Sequence, residues 1–165
     1  MNILGIDPGL ANCGYAVISP REEDSVFIAE SGCITTDKGT PEPDRVYEMF
    51  DAVYDLIKKY KPNTVIVEDV FFSNNVSSAM KTAKCIAAVE LAIAFWNESL
   101  EEPMVGLVTL SPTEIKKVVT GNGRASKEEI GLAVAGLSGV VFNNDHSADA
   151  AAAVFAFLGR RNVSV

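Results

Sequence analysis

The sequence predicts a single-domain α/β protein in which a mixed five-stranded sheet is flanked by helices. Along the chain, the predicted elements run βββαβαβαα followed by a further helix, so strands and helices are interspersed. The chain has 165 residues, of which 48% are hydrophobic and 22% charged, enough to bury one core. Neither a repeat nor a linker divides residues 1–165 into two domains.

The first third of the chain predicts three strands. Residues 2–6 form a short apolar run that ends at an Asp-Pro-Gly sequence typical of a turn. Residues 14–19 and 26–36 are two more strand-forming runs, separated by a polar turn. Because the connections are short, we expect the three strands to form an antiparallel meander.

The middle of the chain predicts a helix, a strand and a second helix. The first helix begins between Thr40 and Asp44 and ends before Pro62, and strand 64–67 follows it. The second helix, residues 76–96, is apolar nearly all round after its first turns, which is typical of a helix buried on more than one side. We expect one face to cover the sheet and the other to contact a second copy of the chain.

The last third of the chain predicts one strand and three helices. The expected elements are strand 105–110, helix 113–119, a loop at 121–123, a helix opened by Ser126, and helix 147–158. Glu129, three residues after Ser126, completes the pattern of a capping box.

Charge and cysteine content restrict the class of protein. The chain carries 14 basic and 22 acidic residues, net −8, which by itself argues against nucleic-acid binding. The charge is uneven, however, since residues 1–60 have net −6 and residues 103–127 have net +3. Three cysteines without paired spacing, and no membrane-length apolar run or signal peptide, predict a cytoplasmic protein with reduced thiols and no membrane partner.

Two carboxylates follow predicted strands. Asp7 comes where the first strand meets its turn, and Glu68 follows strand 64–67. Ligand sites in α/β sheets lie at such strand ends. The alternatives are that the Asp-Pro-Gly sequence is a plain turn and that Glu68 is a solvated strand terminus.

A third candidate is the segment around His146, the one histidine in the chain. His146 and Asp149 are three residues apart and share a face of a helix. Alternatively, His146 is structural, and Asp145 or Ser147 is a helix cap. If these groups converge with the two strand-end carboxylates, they form a set of oxygen donors and one imidazole that suits Mg²⁺ or Mn²⁺. Clustered carboxylates repel one another unless cations neutralise them, so we expect a metal pair that clamps a phosphodiester.

The opening residues 2–18 resemble the start of the RuvC family of Holliday junction resolvases. The resemblance continues through residues 67–71, 75–81, 115–123, Lys127 and residues 149–151, in family order. It implies an RNase H-like fold, a homodimer, and Mg²⁺-dependent nicking of two strands of a four-way DNA junction. It also implies two metal ions per active site and 5′-phosphate and 3′-hydroxyl products. Whether a branch-migration motor is a further partner stays open.

The resemblance also assigns roles to residues. The metal-binding tetrad would be Asp7, Glu68, His146 and Asp149. His146 stands where the family pattern often has aspartate, and the adjacent Asp145 leaves the register open. The residues expected to handle DNA are Phe71, Lys81, Lys116, Lys117, Arg124 and Lys127, with Lys116 also expected to assist catalysis. Phe72 leaves open which of the two aromatic residues contacts bases, and the 76–96 helix would form the dimer contact.

Three alternatives compete with a junction resolvase. An actin-like ATPase or sugar kinase needs two copies of the fold, which 165 residues without a repeat do not supply. A related RNase H-like nuclease would cut RNA–DNA hybrids or other branched DNA, and a non-catalytic protein of this fold would only bind junctions. Base preference at the cut and a bacterial or phage origin stay open.

Overall fold

A computed structural model describes residues 1–22, 25–70, 75–100 and 105–162, with side chains through residue 160. Its elements are β1 (Ile3–Asp7), β2 (Asn12–Pro20), β3 (Val26–Thr35), α1 (Glu42–Tyr60), β4 (Thr64–Glu68), α2 (Val76–Glu98), β5 (Gly106–Leu110), α3 (Pro112–Thr120), α4 (Lys127–Ser138) and α5 (Asp145–Asn162). The ten elements have the predicted types and order, so the α/β prediction is confirmed.

The sheet has the strand order β3-β2-β1-β4-β5. The first three strands form the expected antiparallel meander, whereas β4 pairs parallel with both β1 and β5. A parallel pair needs a crossover connection. The connection from β1 to β4 runs through β2, β3 and α1, and α2 connects β4 to β5. The mixed five-stranded sheet is therefore as predicted.

Two cores lie on opposite faces of the sheet because side chains alternate along each strand. In β1, Ile3 belongs to the cluster that includes the alanines of α5, while Leu4 and Ile6 belong to the cluster that includes α1 and α2. The helices α3 and α4 also contribute to the α5 side. Residues at odd positions of β1 therefore face α5.

The helix α5 lies very close to the sheet. A Cβ atom on Gly5 would collide with the carbonyl oxygen of Ala150, and one on Gly14 would collide with that of His146. The alanines of α5 let its backbone approach the strands, since they add little volume between the two. The first turn of α5 is thus held over the start of β2.

One helix boundary differs from the prediction. We expected α5 to begin at Ser147, with Asp145 or Ser147 as a cap, but it begins at Asp145. The cap is Asn144, whose Oδ1 accepts a hydrogen bond from the backbone N–H of Ser147 at 2.8 Å. His146 therefore lies within the first turn. The capping box of Ser126 and Glu129 at the start of α4 is confirmed.

The helix α2 has a buried and an exposed apolar face. Val89 and Ala92 are buried against α1 and the sheet, whereas Met80, Leu91 and Phe95 are more than half exposed. One side of α2 therefore covers the core, as expected, and the contact of its other side with a second copy of the chain stays a prediction. None of the helices within the described ranges is long and apolar enough to cross a membrane.

Candidate active site

Asp7 and Glu68 end two neighbouring parallel strands. The register pairs Ile6 of β1 with Val67 of β4, and Asp7 and Glu68 are the next residue on each strand. Both occupy the alternate positions that face α5. The strands therefore bring the two carboxylates to the same edge and the same face of the sheet, as predicted for a ligand site.

His146 contacts Asp7 directly. Its Nδ1 lies 2.8 Å from Asp7 Oδ2, with both side chains partly exposed. The contact joins residues 139 positions apart and exists because α5 begins over Gly14, the residue that pairs with Asp7 in β2. Asp145 is exposed and has no contact with the strand-end carboxylates in the part of the chain that the structure describes.

Asp149 lies one turn further along α5 and faces Lys127. Its Oδ2 is 3.5 Å from the Nζ of Lys127, the first residue of α4. Burial raises the pKa of Asp149, and the charge of Asp7 raises it further, while Lys127 and His146 lower it. The carboxylate thus lies within electrostatic reach of both the acidic and the basic groups of the site.

Glu68 is the most perturbed carboxylate of the site. Burial raises its pKa to about 7, with additional contributions from the negative charges of Asp7 and Asp149. The positive charges of Lys116 and Lys127 oppose the shift without cancelling it. A carboxylate held in this way gains stability from a cation bound beside it.

Glu68 and Asp149 open onto a cleft of about 270 Å³. Lys116 of α3 and Lys127 of α4 also line it, and Ile115 and Ile130 contribute apolar walls. A partly apolar cleft lined by both carboxylates and lysines suits a phosphate group with its metal ions, because the field there is less screened than in water.

The donor set fits divalent cations by its chemistry. Three mutually repelling carboxylates supply the hard oxygen ligands that Mg²⁺ and Mn²⁺ take, and the imidazole adds a nitrogen ligand of borderline softness. Among the described residues, however, no three such groups are positioned to hold an ion as they stand. Asp7 instead pairs with His146, and Asp149 with Lys127.

The residues predicted to handle DNA separate into three groups. Lys116 and Lys127 line the cleft. Lys117 and Arg124 are exposed nearby but do not line it. Phe71, like Phe72, lies outside the described residues.

Lys81, the remaining predicted DNA contact, does not line this cleft. It lines a second pocket of about 350 Å³ together with Lys38, Arg45 and His146. Lys38 and Arg45 were not predicted from the sequence. The available signal was the position of Arg45 at helical spacing from Met49, which places a charged residue on the buried side of α1.

Comparisons with known protein sequences give one family. The profile described as Crossover junction endodeoxyribonuclease RuvC matches residues 3–157. A protein of that name from Brachyspira hyodysenteriae is 35% identical over 163 residues, covering 99% of this chain and 97% of the relative. Another from Treponema denticola is 37% identical over 153 residues, covering 92% and 82% respectively.

Solved structures agree with the sequence comparisons. The structure described as T. thermophilus RuvC in complex with Holliday junction substrate matches with a TM-score of 0.86 and 27% identity, covering 99% of this chain and 96% of that one. The yeast mitochondrial Holliday junction resolvase Ydc2 matches with a TM-score of 0.71 at 17% identity, covering 97% and 80%, which shows a shared fold. The predicted RNase H-like fold is confirmed by these neighbours.

Proposed function

The chain belongs to the RuvC family of crossover junction endodeoxyribonucleases, and we propose that it resolves four-way DNA junctions by metal-dependent hydrolysis. The activity belongs to DNA recombination and repair. The observation that carries the proposal is the convergence of Asp7, Glu68 and Asp149 from β1, β4 and α5 on one edge of the sheet, beside a cleft with two lysines.

We propose two Mg²⁺ ions per active site, with Mn²⁺ as a substitute. The residues that would hold them are Asp7, Glu68, His146 and Asp149. Bound ions supply a water molecule activated for attack on phosphorus and stabilisation of the leaving 3′ oxygen. The products would carry 5′-phosphate and 3′-hydroxyl ends.

The chain's own residues would position the phosphate and balance its charge. Lys116 and Lys127 line the same cleft as Glu68 and Asp149, so their ammonium groups would stabilise the negative charge that grows on the phosphate in the transition state. The ion pair of Lys127 with Asp149 would open as DNA enters, which frees both groups. Exposed Lys117 and Arg124, and the predicted base contact Phe71, would extend the DNA footprint.

A homodimer would place two such sites against the two arms of a symmetric junction. The support is the exposed apolar face of α2, formed by Met80, Leu91 and Phe95, with Tyr47 of α1 exposed beside it. A contiguous apolar surface of this kind is typical of a protein interface.

The dimer is tested by sedimentation of Leu91→Glu and Phe95→Glu variants. We expect both to sediment as monomers at concentrations where the wild type is a dimer, because a charge buried in an apolar interface is unfavourable. The matched control is Leu132→Glu, since Leu132 is 71% exposed on α4, away from α2. A Leu91→Glu variant that remains dimeric would contradict this interface.

A cleavage assay separates the junction resolvase from the competing activities. Four-way junction, duplex DNA and RNA–DNA hybrid are offered with Mg²⁺, Mn²⁺ or EDTA. We expect paired nicks in the junction alone and none with EDTA. Cutting of the hybrid in preference to the junction would favour the general RNase H-like nuclease, and junction binding without cutting would favour a non-catalytic protein.

Two further proposals follow from family membership. We propose the cytoplasm as the location, where the chain meets its DNA substrate, and a branch-migration motor as a partner on the junction. Faster cleavage of a junction with long homologous arms when the motor is added would support the partnership, and an unchanged rate would argue against it.

A further inference from the structure

Arg45 is a buried cation in the helix α1. It is 6% exposed and lies on the same side of α1 as Met49 and Val53. Its Nε donates a hydrogen bond to Thr36 Oγ1 at 2.8 Å, and the Thr36 hydroxyl donates in turn to the carbonyl oxygen of Leu10 at 2.5 Å. These two bonds hold the guanidinium in one orientation.

No carboxylate forms an ion pair with Arg45 among residues that the structure describes. The nearby Glu42 pairs with Lys84, and the charges of Lys81 and Arg45 act on it without direct contact. None of the described residues accepts a hydrogen bond from the Nη groups of Arg45. Every fully buried side-chain nitrogen of the described residues has a hydrogen-bond partner, so the Nη groups are not fully buried and reach the open pocket. Burial of an unpaired guanidinium is costly unless an anion binds it.

The pocket beside Arg45 is lined by cations and neutral groups. It has a volume of about 350 Å³ and lies between the turn after β1 and the first turns of α1 and α2. Lys38 and Lys81 line it with Arg45, the hydroxyl groups of Ser78 and Thr82 contribute polar atoms, and no carboxylate belongs to the lining. In a chain of net charge −8, such a concentration of positive charge selects an anion.

The location of the pocket identifies the anion. His146 is part of the lining, and the same imidazole contacts Asp7 at 2.8 Å. The imidazole thus adjoins both the pocket and Asp7, whose charge acts on Glu68 and Asp149 of the carboxylate cleft. A DNA strand with one phosphate in the cleft would bring a neighbouring phosphate to the pocket.

We propose that the pocket of Lys38, Arg45 and Lys81, called here the basic pocket, binds the backbone phosphate adjacent to the one that is cut. The proposal rests on the proposed function, because it assumes a DNA strand at Asp7. Arg45 binds the phosphate through its free Nη groups, a geometry that suits two parallel hydrogen bonds. Lys38 and Lys81 add point charges at the mouth of the pocket. By holding that phosphate, the basic pocket fixes the register of the strand over the carboxylates.

The test measures junction binding as a function of salt, with Asp7→Asn present in every protein to prevent cutting. Arg45→Gln and the double variant Lys38→Gln/Lys81→Gln are compared with Lys58→Gln, an exposed lysine towards the other end of α1. We expect about tenfold weaker binding for Arg45→Gln, and a slope of log affinity against log salt that is flatter by about 0.9 for each phosphate that is no longer neutralised. Lys58→Gln should retain both values.

A second measurement assigns the phosphate. One uncharged methylphosphonate is placed in turn at each position around the cut site. The adjacent substitution should weaken binding by the parent protein about tenfold and leave Arg45→Gln unchanged, since that variant no longer makes the direct bonds to the phosphate. The double variant, which keeps Arg45, should be weakened less than the parent. An equal weakening in parent and variants would overturn the proposal. So would an Arg45→Gln protein with a lower melting temperature but the parent's salt slope, because Arg45 would then be purely structural.

The proposed function and the basic pocket fail in different ways. If the unmodified wild-type chain does not cut the junction, the proposed function fails. The basic pocket alone fails if the wild type cuts the junction but the double variant binds it with the parent's salt slope and methylphosphonate profile. Lys38 and Lys81 are both exposed, so the double variant should fold normally.

Discussion

Two glutamates of the same sheet have opposite environments. Glu30 on β3 accepts hydrogen bonds from Tyr15 Oη at 2.9 Å, from Lys59 Nζ at 2.8 Å and from the Tyr60 hydroxyl. The bond from Lys59, followed by those from the two tyrosines, lowers the pKa of Glu30 to about 2. Glu68 on β4 is buried beside other carboxylates, and its pKa is raised to about 7.

The difference separates a carboxylate that joins elements of the fold from one that is proposed to bind metal. Donors around Glu30 stabilise its ionised form and join β3 to β2 and to the end of α1. Around Glu68, burial and the charges of Asp7 and Asp149 destabilise the ionised form, and Lys116 and Lys127 compensate in part. Strongly perturbed carboxylates in a cleft are characteristic of functional sites. Each of the following predictions tests one side of this comparison.

The largest expected effect is on cleavage. Asp7→Asn should lower the rate of junction cutting by about a thousandfold, about 4 kcal/mol, because it removes a metal ligand and a charge. Junction binding should survive, since loss of a negative charge does not weaken phosphate contacts. The control is Glu30→Gln, which should cut at a rate close to that of the wild type. Near wild-type cutting by Asp7→Asn would refute the metal assignment.

The second effect is on the stability of the metal-free protein. Glu68 has a folded-state pKa of about 7, above the ordinary value of 4.5, so its contribution to stability is present below pH 4.5 and is lost as pH rises to 7. Glu68→Gln should therefore raise the free energy of unfolding at pH 8 in EDTA by about 2 kcal/mol. Denaturant titration measures this, and Mg²⁺ should stabilise the wild type more than the variant. A destabilised variant would contradict the raised pKa.

The third effect is a loss of stability at Glu30. Its pKa of about 2 lies below the ordinary value, so its contribution is present above pH 4.5 and is lost as pH falls towards 2. The side chain is 33% exposed, so solvent screening reduces the gain. Glu30→Gln should cost about 1 kcal/mol at pH 7. The difference between the variant and the wild type should shrink on acidification, opposite in direction to that at Glu68.

The smallest expected effect concerns His146. A carboxylate oxygen suits Mg²⁺ better than an imidazole nitrogen does, so His146→Asp should still cut the junction and should need less Mg²⁺ to reach half its maximal rate. The measurement is the cleavage rate as a function of Mg²⁺ concentration for the two proteins. Superimposable curves would show that His146 takes no part in metal binding.

The elements of the fold were predictable because their signals are local. Apolar runs and turn residues predicted β1 to β5, and Ser126 with Glu129 predicted the start of α4. The start of α5 was misplaced by two residues because Asn144, rather than its neighbours, caps the helix. Sequence alone offers several candidate caps in the polar run before α5, and only the backbone geometry selects one.

The tertiary structure decided the pairings within the site. The residues of the tetrad are identifiable along the sequence, yet the contact of His146 with Asp7 requires α5 to pack on β1 and β2 through Gly5 and Gly14. A role for Arg45 was not predicted for a related reason. Only the tertiary structure places Thr36 and the turn after β1 around its side chain, without an ion pair to any described carboxylate.

The sequence by itself determined the class of fold, the chemistry of the carboxylates and the uneven distribution of charge. It did not determine which acid would be stabilised by its neighbours and which would be destabilised. Glu30 and Glu68 both belong to strand segments, and their pKa values differ because residues distant in sequence surround one with donors and the other with carboxylates. Helices and strands depend on nearest neighbours, whereas an electrostatic environment is a sum over groups brought together by folding.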